Sequence, residues 1–198
     1  AEMYFNNAIS YSRNDESFDV IYNKLGNIMN IKEKHHEALK FFELAEEHNI
    51  NSDVTLYNYS MTLYELGEND QALLKINKAI NLNSTNFEYY NSKGSILAEL
   101  GRFNESESSY LKSVEINPTD GGGFYNLGYL YGEQSNHKEA IKYYTKAIAL
   151  NYDLEATLVN RAIEKANLNQ INSACKDLKK AYKLGRKDIL PIINKMCK

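Results

Sequence analysis

The sequence predicts an all-α fold, a stack of antiparallel helix hairpins. Three observations predict it: a pattern that recurs every 34 residues, small residues at fixed slots of that pattern, and only 2 prolines in 198 residues. A repeat of this length is one supersecondary unit that buries its apolar face only against its neighbours. Proline-poor stretches favour helix, because an interior proline removes a hydrogen bond and clashes with the preceding turn.

The frame is set by Tyr125-Asn126-Leu127-Gly128-Tyr129-Leu130-Tyr131, followed by Ala140, Tyr144 and Ala147. In steps of 34, the slot of Gly128 holds Gly26, Ser60, Gly94 and Ala162. The slot of Ala140 holds Ala38, Ala72, Ser106 and Ala174. The slot of Tyr144 holds Phe42, Ile76, Tyr110 and Leu178. Small residues let two helices approach and large ones fill the remaining gaps. Five units follow without insertion: 19–52, 53–86, 87–120, 121–154 and 155–188. Each reads as helix, short turn, helix. The turns carry Gly67-Glu68-Asn69-Asp70, Gly101-Arg102-Phe103-Asn104 and Gln134-Ser135-Asn136. Glycine suits the left-handed position after a helix, and Asn, Asp or Ser is predicted to cap the helix that follows.

The ends extend the frame. Ala1, Phe5 and Ala8 fit the second-helix slots of a further unit, so residues 1–18 read as half a hairpin plus a connection. The chain is expected to begin inside a repeat, with an apolar face open to self-association. At the other end Ile189, Ile192, Ile193 and Met196 recur at helical spacing, which predicts a capping helix over 189–198, with Asp188 as its N-cap and Pro191 in its first turn. Both cysteines lie here. Cys175 occupies the slot of Leu39, Leu73 and Ile141, which faces the next helix of the stack, and for the last unit that helix carries Cys197. Either a disulfide or two buried thiols fits. A disulfide implies a periplasmic or exported chain, and free thiols a cytoplasmic one.

Several function classes find no support. A net charge of −3 without a basic stripe argues against nucleic acid, and no apolar run reaches the roughly 20 residues that span a bilayer. His35, His36, His48 and His137 have no recurring metal-ligand spacing, and they read as solvated turn or helix-end residues. No metal or cofactor is expected. No nucleophile elbow or phosphate loop is present, so catalysis is not expected. Gly121-Gly122-Gly123 lacks the strand and the Lys-Ser/Thr of an anion cradle and reads as a flexible lead-in to a helix. Glu46-Glu47, Glu105 and Glu107 read as solvated faces.

The frame resembles the tetratricopeptide repeat family over nearly the whole chain. The closing run from Ser173 to Gly185, ending in Cys197, resembles the last repeat of such proteins in Bacteroidetes-type bacteria. The resemblance implies a right-handed superhelical solenoid whose first helices line a concave groove. It also marks departures. Arg161 and Lys165 stand where large apolar side chains are usual, and Ser106 and Ser113 where Ala is usual. These weaken single units. Carried over slot by slot, the groove comprises Asn23 and Asn27; Tyr57, Asn58, Met61 and Tyr64; Glu88, Asn91, Ser92 and Ser95; Tyr125, Asn126, Tyr129 and Glu133; and Val159, Asn160 and Ile163. Asn58, Asn126 and Asn160 share one slot, and their amides suit an extended peptide backbone. The family's carboxylate clamp has lost its charges, with Asn23, Glu88 and Ser92 at the basic slots, so acidic chaperone tails are not expected to bind. The resemblance implies a scaffold for a protein or extended peptide. The alternatives are a self-associating structural module, forming a homo-oligomer through the N-terminal face, and an accessory region of a larger protein.

Overall fold

The computed structural model describes residues 18–47 and 52–198. Of the half-hairpin and connection expected at 1–18, residues 1–17, including Phe5, lie outside the described residues, as does His48, and residue 18 opens the first described helix. The described residues are helical hairpins with no strand among them. They fall into two compact units, one ending at Leu100 and the other beginning at Gly101.

The first unit contains α1 (Phe18–Ile31), α2 (His35–Glu47), α3 (Asp53–Glu65), α4 (Asn69–Leu82) and α5 (Phe87–Glu99). Each helix packs on the next, and α3 also touches α1 and α5. The small-against-large slots explain the closeness. A Cβ on Gly26 would lie 2.6 Å from the ring of Phe42, which is fully buried. Ser60 replaces glycine one repeat on, and its buried hydroxyl donates to the Ala72 carbonyl at 2.8 Å. The serine therefore satisfies itself across the hairpin instead of being stranded in an apolar core.

The second unit contains α6 (Phe103–Ile116), α7 (Gly121–Glu133), α8 (His137–Ala149), α9 (Leu154–Asn167), α10 (Ile171–Leu184) and, after a 3₁₀ turn at Lys187–Ile189, α11 (Leu190–Met196). Ser106 and Ser113 of α6 are fully buried in their small slots. Gly121, Gly122 and Gly123 form the buried first turn of α7. A Cβ would fall 2.3 Å from the Cβ of Tyr152 at Gly121 and 2.6 Å from Val114 at Gly123. The expectation of a flexible lead-in is thus corrected: these glycines admit neighbouring side chains against the backbone.

The capping expectation also needs correction. Side-chain caps sit on the first helices α3, α5 and α7, where Ser52, Asn86 and Asp120, again 34 apart, accept from the backbone N–H groups of Thr55, Glu88 and Gly123; α9 starts without one. The second helices α4, α6, α8 and α10 start without a side-chain cap. The turns before α2, α4, α6, α8 and α10 each hold a left-handed residue, at Glu33, Gly67, Gly101, Ser135 and Asn169 respectively. In the second hairpin Gly67 N–H bonds to Tyr64 O and Glu68 N–H to Leu63 O, both at 2.9 Å. That is a Schellman closure, and it fully defines the turn through the backbone.

The C-terminal cap is held by Ile189 and Ile193, both buried with Leu158, Leu178 and Ala181. Each such side chain contributes about 1.5–3 kcal/mol. A disulfide joins Cys175 of α10 to Cys197, with a Cα–Cα distance of 5.6 Å. Asp188 is not the N-cap of α11. It lies in the 3₁₀ turn and pairs with Arg186 at 3.0 Å, while Pro191 takes the first helical turn.

Candidate functional site

In the first unit, the predicted groove residues on α1, α3 and α5 are largely committed to one another. Asn58 donates to Asn23 Oδ1 at 2.9 Å, and Asn27 donates to the same oxygen at 3.4 Å. Tyr57 stacks on Tyr89 with centroids 5.0 Å apart, and both Tyr57 and Tyr64 pack against the core. Burial, followed by the carboxylates Glu99 and Glu65, pushes the Tyr64 hydroxyl up. Tyr89 donates to Asp53, and burial and that bond hold its pKa at about 12. Met61 and Asn91 are half-buried. Asn58 therefore staples α3 to α1, a role that composition did not reveal.

The second unit repeats the device with a new partner. Asn160 of α9 donates to the Tyr125 hydroxyl of α7 at 2.9 Å. The Tyr125 ring meets Tyr144 edge-on at 5.7 Å. Asn126 is half-buried, while Tyr129 is 54% exposed and Ile163, 34 residues on, is 50% exposed. Between them opens a recess of about 290 Å³, lined by Tyr129, Gly132, Glu133, Tyr144, Asn160, Ile163, Glu164 and Asn167. Tyr129, Glu133, Asn160 and Ile163 were legible as groove slots, but Gly132, Tyr144, Glu164 and Asn167 were not.

Glu164 is the residue whose role was missed. It is 8% exposed, and His137 Nδ1 lies 2.6 Å from its Oε2. His137 is therefore not a solvated helix-end histidine, because the slot facing it on α9 carries a carboxylate. The available signal was the slot itself, which holds Ile28, Thr62, Ile96 and Leu130 elsewhere. Two other carboxylates also correct the reading of solvated faces. Glu46 accepts from Lys75 at 2.5 Å and Lys78 at 2.9 Å, and Glu107 accepts from the Tyr131 hydroxyl.

Arg161 and Lys165, which depart from the apolar slots of the last unit, are both paired in the structure. Both reach Asp177 of α10: Arg161 through two nitrogens at 2.7 and 2.8 Å, and Lys165 at 2.7 Å. Burial raises the Asp177 pKa, but the bonds from Arg161 and Lys165 outweigh it and hold the carboxyl below its usual range. The ion triad occupies slots that hold Leu127, Tyr131 and Tyr143 in the preceding unit. Among the described residues no group of His, Cys, Asp and Glu is placed to hold a metal ion. Nor is any helix there long and apolar enough to cross a membrane.

Comparison with known proteins places the fold. Tetratricopeptide repeat models match residues 87–120 and 123–151. A MamA structure from Desulfovibrio magneticus superposes with a TM-score of 0.76 at 19% identity, covering 87% of this chain and 97% of that one. YrrB, described as a TPR protein with an unusual peptide-binding site, gives 0.70 at 18% identity, covering 96% and 97%. A thermophilic TPR protein of Thermus thermophilus gives 0.69 at 19% identity, covering 86% and 93%. No curated protein matches the chain by sequence. The 34-residue frame, the hairpins it builds and the two matched repeats lead to one family: the chain is a tetratricopeptide-repeat protein.

Proposed function

We propose that the chain is a non-catalytic scaffold that holds a protein or extended peptide on the first-helix faces of its units. The observation that carries this reading is the recess of the second unit. There exposed Tyr129 and Ile163 stand at equivalent slots of successive first helices and line one recess together with Tyr144, Asn160 and Glu164. Tyrosine supplies rigid amphipathic contact area at low entropic cost, and a recess of this size accommodates one side chain of a bound segment. The likeness to YrrB is compatible with peptide binding. In the first unit Asn23, Asn27, Asn58, Tyr57 and Tyr64 shape the face, and their mutual bonds make it rigid.

The test is a selection from a displayed peptide library against the whole chain and against a Tyr129→Ala/Ile163→Ala variant. Both side chains are about half exposed, so the variant should fold normally. We expect selected peptides to lose at least tenfold in affinity for the variant, about 1.4 kcal/mol. Equal retention by both proteins would remove the recess from the binding face. The Cys175–Cys197 disulfide supports an oxidising compartment. Protein from its native source should gain no mass on alkylation before reduction and two adducts after it; two adducts before reduction would contradict this placement.

A further inference from the structure

Two substitutions act together in the recess between α7 and α9. Glu164 replaces Ile28, Thr62, Ile96 and Leu130. Burying a carboxylate in that slot removes hydration and lowers stability unless partners replace the lost water. Its Oε2 lies 2.6 Å from His137 Nδ1, on the α8 side. Its other oxygen, Oε1, lies where a Cβ on residue 132 would come within 2.8 Å, and residue 132 is glycine. That slot holds Asn30, Tyr64, Ala98 and Ala166 in the other units. Gly132 thus makes room for the carboxylate beside the recess, and Glu164 fills that room with negative charge.

The rest of the lining has matching chemistry. Glu133 adds a second carboxylate at the rim, Asn160 and Asn167 add amides, and Tyr129 and Tyr144 add aromatic rings, while no lysine or arginine lines the recess. We propose that this recess receives the cationic side chain of an extended peptide, arginine above all. The proposal rests on the scaffold reading and gives it a chemical specificity. A guanidinium is planar and carries five donors, so it can stack on the exposed Tyr129 ring while bonding to the carboxylate and amide oxygens around it. An acidic side chain would meet Glu133 and Glu164 at close range and be rejected. A neutral side chain would bring the carboxylates donors at most, without the charge that strengthens such bonds.

The measurement is a ¹H–¹⁵N NMR titration of the whole chain with acetyl-Ala-Arg-Ala-amide. The control is the same tripeptide carrying citrulline, which has the shape of arginine without its charge. We expect saturable shifts confined to the backbone amides of 129–133 and 160–167, with the arginine peptide binding about tenfold tighter than citrulline. Glu164→Gln keeps the shape of the side chain and should remove most of that preference. Glu133→Gln, an exposed change that does not threaten folding, should reduce it. Equal binding of the two peptides at the recess would overturn the cationic specificity and leave the scaffold reading standing. An arginine preference untouched by both variants would also overturn it, because the charge would then be read elsewhere. If neither tripeptide shifts these amides while library-selected peptides do, the inference alone fails; if selected peptides also leave them unmoved, the scaffold reading at this recess fails with it.

Discussion

Two hairpins carry the same helix crossing with opposite chemistry. In α3/α4 of the first unit, Tyr59 meets residue 75 sixteen positions later. In α9/α10 of the second unit, Arg161 meets residue 177 at the same separation. The first pair is Tyr59 under the Lys75 ammonium, 4.5 Å from the ring centroid, with Glu46 completing the charge balance. The second is an ion triad, with Asp177, Arg161 and Lys165 side chains only 9%, 15% and 12% exposed. The frame decides which positions touch. It does not decide whether they touch through rings or through charges, provided every buried charge finds a partner.

The largest expected effect breaks the triad. Asp177→Ala would leave Arg161 and Lys165 buried without their counter-ion, and removing one partner of a buried pair typically costs about 3–5 kcal/mol. Hydrogen exchange should accelerate in α9 and α10 well before it does in α3 and α4. The comparison sharpens if all three residues are replaced by those of the preceding unit, Arg161→Leu, Lys165→Tyr and Asp177→Tyr. A well-packed apolar substitute is often neutral or stabilising. A triple variant as damaged as Asp177→Ala would show that the helices of this hairpin cannot accept the preceding unit's packing.

Next in size is the disulfide, which has no counterpart in the first unit. Its cysteines are 22 residues apart, and closing a loop of that length stabilises by about 3 kcal/mol in the chain-entropy account. Reduction should therefore release the protection of α10 and α11 and leave α3 and α4 unchanged. Loss of protection throughout both units would instead mean that the cap controls the whole array.

The two crossings should also respond to opposite ends of the pH scale. Asp177 has a lowered folded pKa, so its stabilisation is complete above the unfolded value of about 3.9 and is lost as pH falls through the folded value. Tyr59 is pushed up to about 12, by burial first and then by Glu43, Glu46 and Glu68. The neutral phenol is favoured in the fold. Its contribution is therefore complete below about pH 10 and lost as pH rises toward 12. Urea unfolding of the triple apolar variant should be less acid-sensitive than that of wild type. Tyr59→Phe should reduce the alkaline loss and leave the acid limb unchanged.

The same contrast explains what could be read from the sequence. Slots shared by all units were legible: Gly26 and Gly128, the alanines opposite them, and the aromatic residues that fill the gaps. Arg161, Lys165 and Glu164 break a slot, and a broken slot signals only that something has changed. The compensating residues lie 16, 12 and 27 positions away on another helix, and finding them requires the side-chain register between helices. The groove was half-legible for a related reason. Slot transfer found Tyr129 and Asn160, but it could not separate exposed Tyr129 from Tyr57 and Tyr125, whose rings pack against neighbours in the structure.

The smallest effect lies in the turns, where the two units use different residues for one backbone conformation. Gly67 has φ +78° and Ser135 has φ +57°, at equivalent positions after first helices. A left-handed conformation costs an L-residue roughly 1–2 kcal/mol, while glycine brings a larger unfolded-state entropy worth about 0.4–1 kcal/mol. Ser135→Gly should therefore stabilise the second unit by up to about 1 kcal/mol, and Gly67→Ser should destabilise the first by a similar amount. A Cβ on Gly67 meets nothing within 4 Å, so sterics would not obscure the backbone term. Paired thermal melts would read the sign. If both changes destabilise, the Ser135 side chain contributes more than the open turn suggests, and the two turns are equivalent in backbone but not in energy.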